Sequence, residues 1–515
     1  MPTFTGTENG ETIDGSNDAD EIFGLGGNDT LNGLGGDDFL DGGNGDDIID
    51  GGPGADVLWG RDGNDTFYVD NRADEVGGEG YNGGWDRIFT TVDFRITSSE
   101  VEVLAVLDPL STYAISLYGS GDGVYLYGND GPNIINPNPD NRTPLGDHMV
   151  GYGGDDVYFI DRDDDRIVEA AGGGIDTAFT TTSYSFRNSL DTHVEHLVVL
   201  DPRSTNELFL FGNDIDNEIT GNDGGNQIRG GGGVDTLMGL GGNDSYYLTA
   251  GIDEHDVIIE FANGGYDVVE VSFSYRLSDN VEELRGSHSA SDAFYITLTG
   301  SLDNNTIRGS DGMEILDGGA GADTLIGGKG NDAYFVDNVG DVVTELAGGG
   351  SDAIFVSIDY VLPESYAHIE NLIAYGGDLN LTGNSLANRI SGNDGANVLD
   401  GKLGLDTLIG YVGVDVFAFT TVVDGHNADL VLGFEVGVDK VALDDAVFAG
   451  LVPGALDPDA FTIGRFASDA EDRILYEAST GHLFFDRDGT GPAEAQYFAA
   501  MSDGLNLTAS DFIVI

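Results

Sequence analysis

A nine-residue repeat near the N-terminus constrains the fold of this chain more than any other feature. Residues 6–68 read as seven consecutive nonapeptides, and the clearest units follow the pattern G-G-x-G-x-D-x-U-x, where U is a large apolar residue. Units 42–50 and 51–59 show the full pattern, and in unit 60–68 Arg61 replaces the second glycine. A disordered linker would not keep an apolar residue at position eight of every unit.

The repeat predicts a stacked β structure. Glycines allow positive φ, so the first six residues of a unit can form a tight turn with exposed carbonyls. The x-U-x segment is a short strand that buries one side chain, because neighbouring strand residues face opposite ways. One unit cannot bury its apolar residue alone, but stacked units can, as in a solenoid. If two nonapeptides make one coil, the aspartates pair as Asp20 with Asp38, Asp29 with Asp47, Asp38 with Asp56, and Asp47 with Asp65.

The acid at position six of each unit is the candidate metal ligand. Ca²⁺ takes about 6–8 oxygen ligands at about 2.3–2.6 Å, and aspartates and turn carbonyls from two stacked turns supply such oxygens. We therefore predict several bound calcium ions. The predicted ligands are Asp20, Asp29, Asp38, Asp47, Asp56, Asp65, Asp156, Asp235, Asp244, Asp323, Asp332, Asp406 and Asp415.

These nonapeptides resemble the glycine-rich repeat of RTX (repeats-in-toxin) proteins, also called the hemolysin-type calcium-binding repeat, whose fold is a calcium-bound parallel β-roll. The chain from about Thr420 resembles the terminal module of those proteins, which caps the roll and carries a type I secretion signal. Residues 511–515 (DFIVI) resemble the acidic-then-apolar C-terminus of exported substrates. The resemblance implies a protein that a Gram-negative cell exports through the type I apparatus, and that folds outside the cell or on its surface.

A longer super-repeat organises the rest of the chain. The end of a nonapeptide block recurs at Asp65, Asp156, Asp244, Asp332 and Asp415, at intervals of about 88 residues. Each period also contains a V-E-x-L strand and a glycine-rich turn followed by Asp. We predict an all-β fold, an elongated parallel β-roll or β-solenoid with a C-terminal β-rich cap. The predicted segments are an N-terminal calcium-binding roll (1–68), four super-repeats (69–159, 160–247, 248–335 and 336–418) and a cap with the secretion signal (419–515).

Some repeat units depart from the pattern. In blocks 212–247, 300–335 and 383–418, the first two units carry Asn at position six, apart from Glu314, and we expect them to bind calcium weakly or not at all. Three prolines interrupt 137–146, which predicts a protruding loop. The segment 486–491 (DRDGTG) fits either a calcium loop or an acidic β-turn.

Composition excludes several classes of protein. The formal net charge of −72 excludes nucleic-acid binding, which needs a basic surface, and makes the chain repel itself until cations neutralise it. No cysteine is present, so calcium replaces disulfides as the expected staple. No apolar run is long enough for a transmembrane helix.

No catalytic residues are predicted, and we expect no enzyme activity. The eight histidines are scattered, and His193 and His196 lie on a V-E-x-L strand without the spacing of a zinc motif. The favoured hypothesis is an extracellular structural protein, of the surface-layer, filament or adhesin type, that self-assembles head-to-tail from an uncapped N-terminal coil. A monomeric adhesin that binds surface polysaccharide is the alternative, and a polysaccharide-active enzyme with an acid cluster on the spacer strands is a third hypothesis.

Overall fold

The computed structural model describes residues 1–78, 83–98, 100–120, 123–137, 145–188, 193–287 and 295–515. The chain divides into two compact units, Met1–Asp267 and Val268–Ile515. Most of the segment 137–146, where we predicted a protruding loop, lies outside the described residues.

The described residues of the first unit form short strands and the 3₁₀ helix Phe186–Asn188. The strands are β1 Thr3–Thr5, β2 Thr12–Asp14, β3 Glu21–Gly26, β4 Thr30–Asn32, β5 Phe39–Asn44, β6 Ile48–Asp50, β7 Val57–Asp62, β8 Thr66–Val69, β9 Glu75–Gly77, β10 Arg87–Thr90, β11 Phe94–Arg95, β12 Val103–Val106, β13 Ile115–Tyr118, β14 Tyr125–Asn129, β15 Asn133–Asn136, β16 His148–Tyr152, β17 Val157–Ile160, β18 Arg166–Val168, β19 Thr177–Thr180, β20 Tyr184–Ser185, β21 His196–Val199, β22 Phe209–Phe211, β23 Glu218–Asn222, β24 Gln227–Arg229, β25 Thr236–Leu240, β26 Ser245–Leu248 and β27 Val257–Ile259.

The described residues of the second unit form further short strands and the 3₁₀ helices Pro458–Ala460 and Ala509–Asp511. The strands are β28 Val268–Val271, β29 Tyr275–Arg276, β30 Glu283–Gly286, β31 Tyr295–Thr299, β32 Thr306–Arg308, β33 Met313–Asp317, β34 Thr324–Ile326, β35 Ala333–Val336, β36 Val342–Thr344, β37 Ala353–Val356, β38 Tyr360–Val361, β39 Asn371–Ala374, β40 Asn380–Thr382, β41 Arg389–Ser391, β42 Val398–Asp400, β43 Thr407–Ile409, β44 Val416–Phe419, β45 Asp429–Leu432, β46 Lys440–Leu443, β47 Gly454–Ala455, β48 Phe461–Ile463, β49 Ile474–Glu477, β50 His482–Phe485, β51 Gln496–Ala500 and β52 Phe512–Val514.

Alternate strands of the N-terminal roll form two parallel sheets. Strands β1, β3, β5, β7 and β9 follow one another in one sheet, and β2, β4, β6 and β8 in another. Ile22 lies opposite Leu40, and Leu31 opposite Ile49, so the apolar residue of each unit faces that of the next unit but one. Two nonapeptides therefore make one coil, as predicted.

The core of the roll is a column of position-eight side chains. Ile22, Leu31, Leu40, Ile49, Leu58 and Phe67 have no exposed surface. Burying one such side chain contributes about 1.5–3 kcal/mol. The turns stack so closely that a Cβ on Gly63, where φ is +145°, would lie 2.0 Å from the carbonyl oxygen of Gly45. Glycine is therefore required at that position by both space and backbone conformation.

Wider coils continue this architecture between the nonapeptide blocks. Phe67 lies opposite Ile88, which lies opposite Leu104, and Leu126 follows opposite Leu104. The spacing between these residues varies from coil to coil, unlike the constant spacing of the roll, yet all of them are fully buried. Loops of different length absorb the variation, so the buried column is uninterrupted. The prediction of a parallel β-solenoid is confirmed.

Regular parallel stacking ends near the C-terminus of the second unit. Strands β51 and β52 pair in parallel with β45 and β46, but β50 runs antiparallel to both β49 and β51, and β47 runs antiparallel to β52. Phe448 packs edge-on against Phe485 of β50 and Phe498 of β51. This arrangement is the predicted β-rich cap. No helix in the described part of the chain is long and apolar enough to span a membrane.

Candidate metal centres

The position-six aspartates of the N-terminal roll join each coil to the next. Asp38 accepts a hydrogen bond through Oδ1 from the backbone N–H of Asp20, at 2.7 Å. Asp47 does the same for Asp29, at 2.8 Å, and Asp65 for Asp47, at 2.7 Å. The structure thus brings together the aspartates that the sequence pairs. Whether each pair coordinates an ion stays a prediction.

Every one of the thirteen predicted ligands also keeps one buried oxygen without a hydrogen-bond partner. This oxygen is Oδ1 in Asp20 and Oδ2 in the other twelve, and the residues are at most 2 % exposed. A buried carboxylate oxygen with no partner is costly and rare in native proteins. A bound cation would satisfy it, so the orphaned oxygens fit the calcium ions that the repeat implies.

Glycine at position one of each unit leaves space for that oxygen. A Cβ on Gly42 would lie 2.3 Å from Oδ2 of Asp47, and a Cβ on Gly51 would lie 2.3 Å from Oδ2 of Asp56. A side chain there would fill the space that the free oxygen faces. The donor set of carboxylate and backbone oxygens is the set that calcium prefers.

Burial makes these carboxylates hard to ionise without a cation. It raises the pKa of Asp47, Asp56 and Asp65 to about 7, against the partial opposition of the backbone N–H bonds that they accept. Negative neighbours such as Asp29 and Asp46 raise the pKa of Asp47 further. A divalent cation between two such groups would remove both penalties.

The predicted ligands of the later blocks share this geometry. Asp156 accepts the backbone N–H of Asn133 at 2.6 Å, and Asp235 that of Asn217 at 2.7 Å. The remaining acceptors are Asp244 from Asn226, Asp323 from Asn305, Asp332 from Glu314, Asp406 from Asn388, and Asp415 from Asn397, at 2.6 to 2.9 Å. The same kind of half-satisfied carboxylate therefore recurs in every block.

The column of carboxylates also extends into the spacer coils, which sequence reasoning missed. Asp86 accepts the N–H of Asp65 at 2.7 Å, and Glu102 accepts the N–H of Asp86 at 2.7 Å. In the same way, Asp176 accepts the N–H of Asp156, and Glu195 accepts that of Asp176. Asp352 likewise accepts the N–H of Asp332, and Glu370 accepts that of Asp352. These are the acids of the glycine-rich turn and of V-E-x-L. Both acids recur in the sequence, but there they served only to define the length of the super-repeat and were not predicted to join the column of carboxylates.

Among the residues that the structure describes, five groups of three acids bring one carboxylate oxygen each to within 4.8 Å of one another. The groups are Asp147, Asp161 and Asp165; Asp156, Glu169 and Asp176; Asp235, Asp253 and Asp256; Asp244, Glu260 and Asp267; and Asp332, Glu345 and Asp352. Four predicted ligands, Asp156, Asp235, Asp244 and Asp332, belong to these groups. The two partners that each acquires come from spacer segments.

The turn at 486–491 satisfies part of its own polar surface. Asp486 accepts the N–H of Asp488 at 3.1 Å, and Asp488 accepts the N–H of Ala493 at 3.2 Å. In the described part of the chain this turn joins none of the three-acid groups. Both interpretations of this segment stay open.

Comparison with known proteins identifies the repeat. A family model described as the RTX calcium-binding nonapeptide repeat (4 copies) matches residues 5–40, 41–74, 211–253, 308–343 and 382–417. RTX nonapeptide repeats bind calcium. These segments contain twelve of the thirteen predicted ligands, and Asp156 lies outside them although its geometry is the same. No curated protein sequence matches the chain.

Proposed function

The chain is an RTX-type calcium-binding repeat protein, and from this premise we propose that it is a secreted structural protein that folds in extracellular calcium and associates end to end at a cell surface or in an extracellular matrix. The orphaned carboxylate oxygens carry the proposal, because they make the fold depend on a cation. An RTX-repeat solenoid is typical of non-enzymatic structural or toxin-like proteins.

Calcium dependence supports export before folding. Cytosolic free calcium is too low to fill sites of sensor affinity or weaker, whereas extracellular calcium would fill them. The net charge of −72 keeps the cation-free chain expanded, which suits passage through a type I apparatus. The C-terminal cap and residues 511–515 are where we place the export signal of a Gram-negative substrate.

The outward backbone groups of the first two strands support self-association. In the described residues, β1 pairs only with β3 and β2 only with β4. The carbonyl of Pro2 and the N–H of Gly6 bond to β3, so the N–H of Thr5, one residue out of phase, points away from that strand. The carbonyl of Glu11 and the N–H of Gly15 bond to β4 in the same way, so the N–H of Thr12 also points outward. A second copy could pair with this edge. Such a contact is heterologous and can propagate as a filament or lattice.

The test is a calcium titration of the whole chain, followed by circular dichroism and light scattering, with magnesium as the control ion. We expect a transition to β structure and then growth in particle size. Thr5→Pro together with Thr12→Pro removes outward N–H groups and should reduce the growth, whereas Thr5→Val with Thr12→Val keeps them and should not. Protein that folds in millimolar calcium and stays monomeric would rule out association.

One observation favours the adhesin alternative. An open groove of about 560 Å³ on the outer face of β10, β12 and β14 is lined by Trp85, Tyr125, Tyr127 and Tyr152. Trp85 is 44 % exposed, and its ring centroid lies 5.5 Å from that of Tyr125. Exposed aromatic rings can stack on the apolar faces of sugars, and the acidic surface favours a neutral polysaccharide over an anionic one.

A glycan array probed with calcium-loaded monomer tests this alternative. Binding that Trp85→Ala abolishes would support it. Phe466→Ala, at an 81 % exposed aromatic residue of the second unit, should leave the binding unchanged. An array without signal would remove the alternative.

A further inference from the structure

Three of the three-acid groups each contain a tyrosine that bonds to one of the carboxylates. The hydroxyl of Tyr158 donates a hydrogen bond to Oε2 of Glu169, and that of Tyr334 to Oε2 of Glu345. Tyr246 donates to Oε1 of Glu260 in the same way. In each case the tyrosine occupies position eight of the last nonapeptide in a block, and the aspartate of the group occupies position six.

The glutamate is fixed from two sides in the groups of Asp156 and Asp332. Oε1 of Glu169 accepts the backbone N–H of Ala170 at 2.9 Å, and Oε1 of Glu345 accepts that of Leu346 at 2.5 Å. The tyrosine holds the other oxygen.

The aspartates of the same group also carry unpartnered oxygens. Oδ2 of Asp156 and of Asp176 is buried without a hydrogen-bond partner, and the two residues are at most 1 % exposed. A Cβ built on Gly151 would lie 2.0 Å from Oδ2 of Asp156, 2.1 Å from the hydroxyl of Tyr158 and 2.6 Å from Oε2 of Glu169. Oxygens from three side chains therefore converge on one point that only glycine leaves open.

The arrangement recurs around Gly327. A Cβ there would lie 2.0 Å from the hydroxyl of Tyr334, 2.4 Å from Oδ2 of Asp332 and 2.8 Å from Oε2 of Glu345. Oδ2 of Asp332 and of Asp352 is again buried and unpartnered. Because the same geometry returns at the same point of a separate super-repeat, a chance cluster of acids is a poor explanation.

Two further block ends lack the tyrosine. Position eight is Phe67 after Asp65 and Phe417 after Asp415. Thirteen residues after the block-end aspartate, where the other blocks have Glu169 and Glu345, these two have Gly78 and Ala428. In the described residues no three-acid group forms around Asp65 or Asp415. Phenylalanine fills the core as well as tyrosine does, so packing alone does not explain why tyrosine and glutamate occur together.

We propose that these three block ends hold a second kind of calcium site, in which three carboxylates bind the ion and the tyrosine orients the glutamate. The sites are Asp156, Glu169 and Asp176 with Tyr158; Asp244, Glu260 and Asp267 with Tyr246; and Asp332, Glu345 and Asp352 with Tyr334. The nonapeptide pairs offer two carboxylates to an ion and these groups offer three. The groups of Asp147 and Asp235 also offer three carboxylates but have no glutamate held by a tyrosine. Because a ligand that is already held in place costs less to order, we expect the three sites with tyrosine to bind calcium most tightly and fill first.

Calcium counting on the whole chain tests the proposal. The triple variant Glu169→Gln, Glu260→Gln and Glu345→Gln keeps the size of each side chain and removes one charge from each group. By equilibrium dialysis, it should lose the three tightest calcium ions of the wild-type protein. The matched control is Glu75→Gln, Glu207→Gln and Glu471→Gln, at three exposed glutamates, and should bind as the wild type does. An unchanged number and affinity of tight ions in the first variant would overturn the proposal.

A second variant covers the case in which the glutamines prevent folding. Tyr158→Phe, Tyr246→Phe and Tyr334→Phe place at position eight the residue that two other blocks already have. In a Tb³⁺ titration excited through tyrosine, the emission from the first three equivalents should fall several-fold. Tyr113→Phe, Tyr295→Phe and Tyr411→Phe, at exposed positions, should leave it unchanged. Equal emission from the two variants would show that the first ions bind elsewhere and would overturn the proposal.

Discussion

The N-terminal roll and the first half of each later block place different residues at the same position of the same repeat. In the roll, Asp47 accepts an N–H from the coil before it and keeps one buried oxygen unpartnered. In the later block, Asn217 accepts the N–H of Asn213 at 2.8 Å and donates its own NH₂ to the carbonyl of Val194 at 2.9 Å.

The difference is that asparagine completes its hydrogen bonds inside the protein, whereas aspartate does not. Other position-six asparagines donate as Asn217 does: Asn133 to Ile115, Asn305 to Val281, Asn388 to Ile369 and Asn397 to Leu379. We infer that asparagine coils are held by the protein alone and aspartate coils by a cation. The same chain thus contains coils of both kinds, which stack in the same way.

Removal of calcium should have the largest effect on this comparison. In a chelator, we expect the coils between Asp20 and Asp74 to lose hydrogen-exchange protection, because their carboxylates repel one another across the stack. Residues 212–229, which carry Asn217 and Asn226, should keep protection longer. Exchange measured by mass spectrometry on the full chain, with magnesium in place of calcium as the control, checks this. Equal loss in both segments would contradict the comparison.

Low pH should stabilise the cation-free protein in part, as calcium does. The pKa of Asp47, Asp56 and Asp65 is raised to about 7 in the folded state, against an ordinary value of 3.8. The folded protein therefore binds more protons than the unfolded chain between these values, and the stability that this gives is lost as the pH rises through about 7.

The cation-free protein should accordingly show more β structure by circular dichroism at pH 5 than at pH 8. In calcium the trend should reverse, because protons compete with the ion for the same carboxylates. A cation-free spectrum that does not change over this range would show that the carboxylates ionise without affecting the fold.

Exchanging the two residues sharpens the comparison. Asp47→Asn removes a predicted ligand and should weaken calcium binding by the N-terminal roll by about tenfold or more. The midpoint of a calcium titration measures this effect. Asp18→Asn removes the same charge from an exposed position and serves as the control. An unshifted midpoint for Asp47→Asn would remove that residue from the predicted ligands.

Replacing a position-six asparagine with aspartate should have a smaller effect, and on stability at low calcium rather than on calcium binding. Asn226→Asp replaces an NH₂ that donates to Oδ1 of Asn222 at 2.9 Å with an oxygen that cannot donate. The free energy of unfolding at the lowest calcium concentration that keeps the chain folded should fall by about 1–3 kcal/mol, as for a buried polar group that loses its partner. Further calcium should restore part of it. Asn206→Asp, at an exposed residue, should change neither value.

Substitution of Arg61 should have the smallest effect on stability, because Arg61 is neither a position-six aspartate nor a position-six asparagine. Its φ of +82° suits glycine better, but its side chain pairs with Asp41 at 2.8 Å and covers Trp59, with the guanidinium 4.3 Å from the ring centroid. Arg61→Gly relieves the strain and loses a partly exposed ion pair, so stability should change by less than about 1 kcal/mol. A larger loss in thermal unfolding would mean that side-chain contacts, and not the carboxylates, hold this roll.

The strict period of the nonapeptides made the roll predictable. A period of nine with one apolar residue per unit fixes both the two-unit register and the aspartate pairs. The third carboxylates could not be predicted in this way, because Glu169 and Glu260 stand at unequal distances from their block-end aspartates. Loops of different length absorb that difference, and only the folded coils bring Asp156, Glu169 and Asp176 together.

The hydrogen bonds between position-six aspartates give the stack a polarity. The N–H of Asp20 bonds to Asp38, that of Asp38 to Asp56, and that of Asp56 to Asp74, so every acceptor lies on the C-terminal side of its donor. A coil is therefore complete only when the next coil along the chain is in place. Removing a unit from the N-terminal side of the roll leaves every remaining N–H donor with its aspartate acceptor. Removing a unit from the C-terminal side leaves one N–H of the coil before it without its acceptor. We infer that loss of a coil at the C-terminal side disturbs the coil before it more than loss of a coil at the N-terminal side disturbs the coil after it.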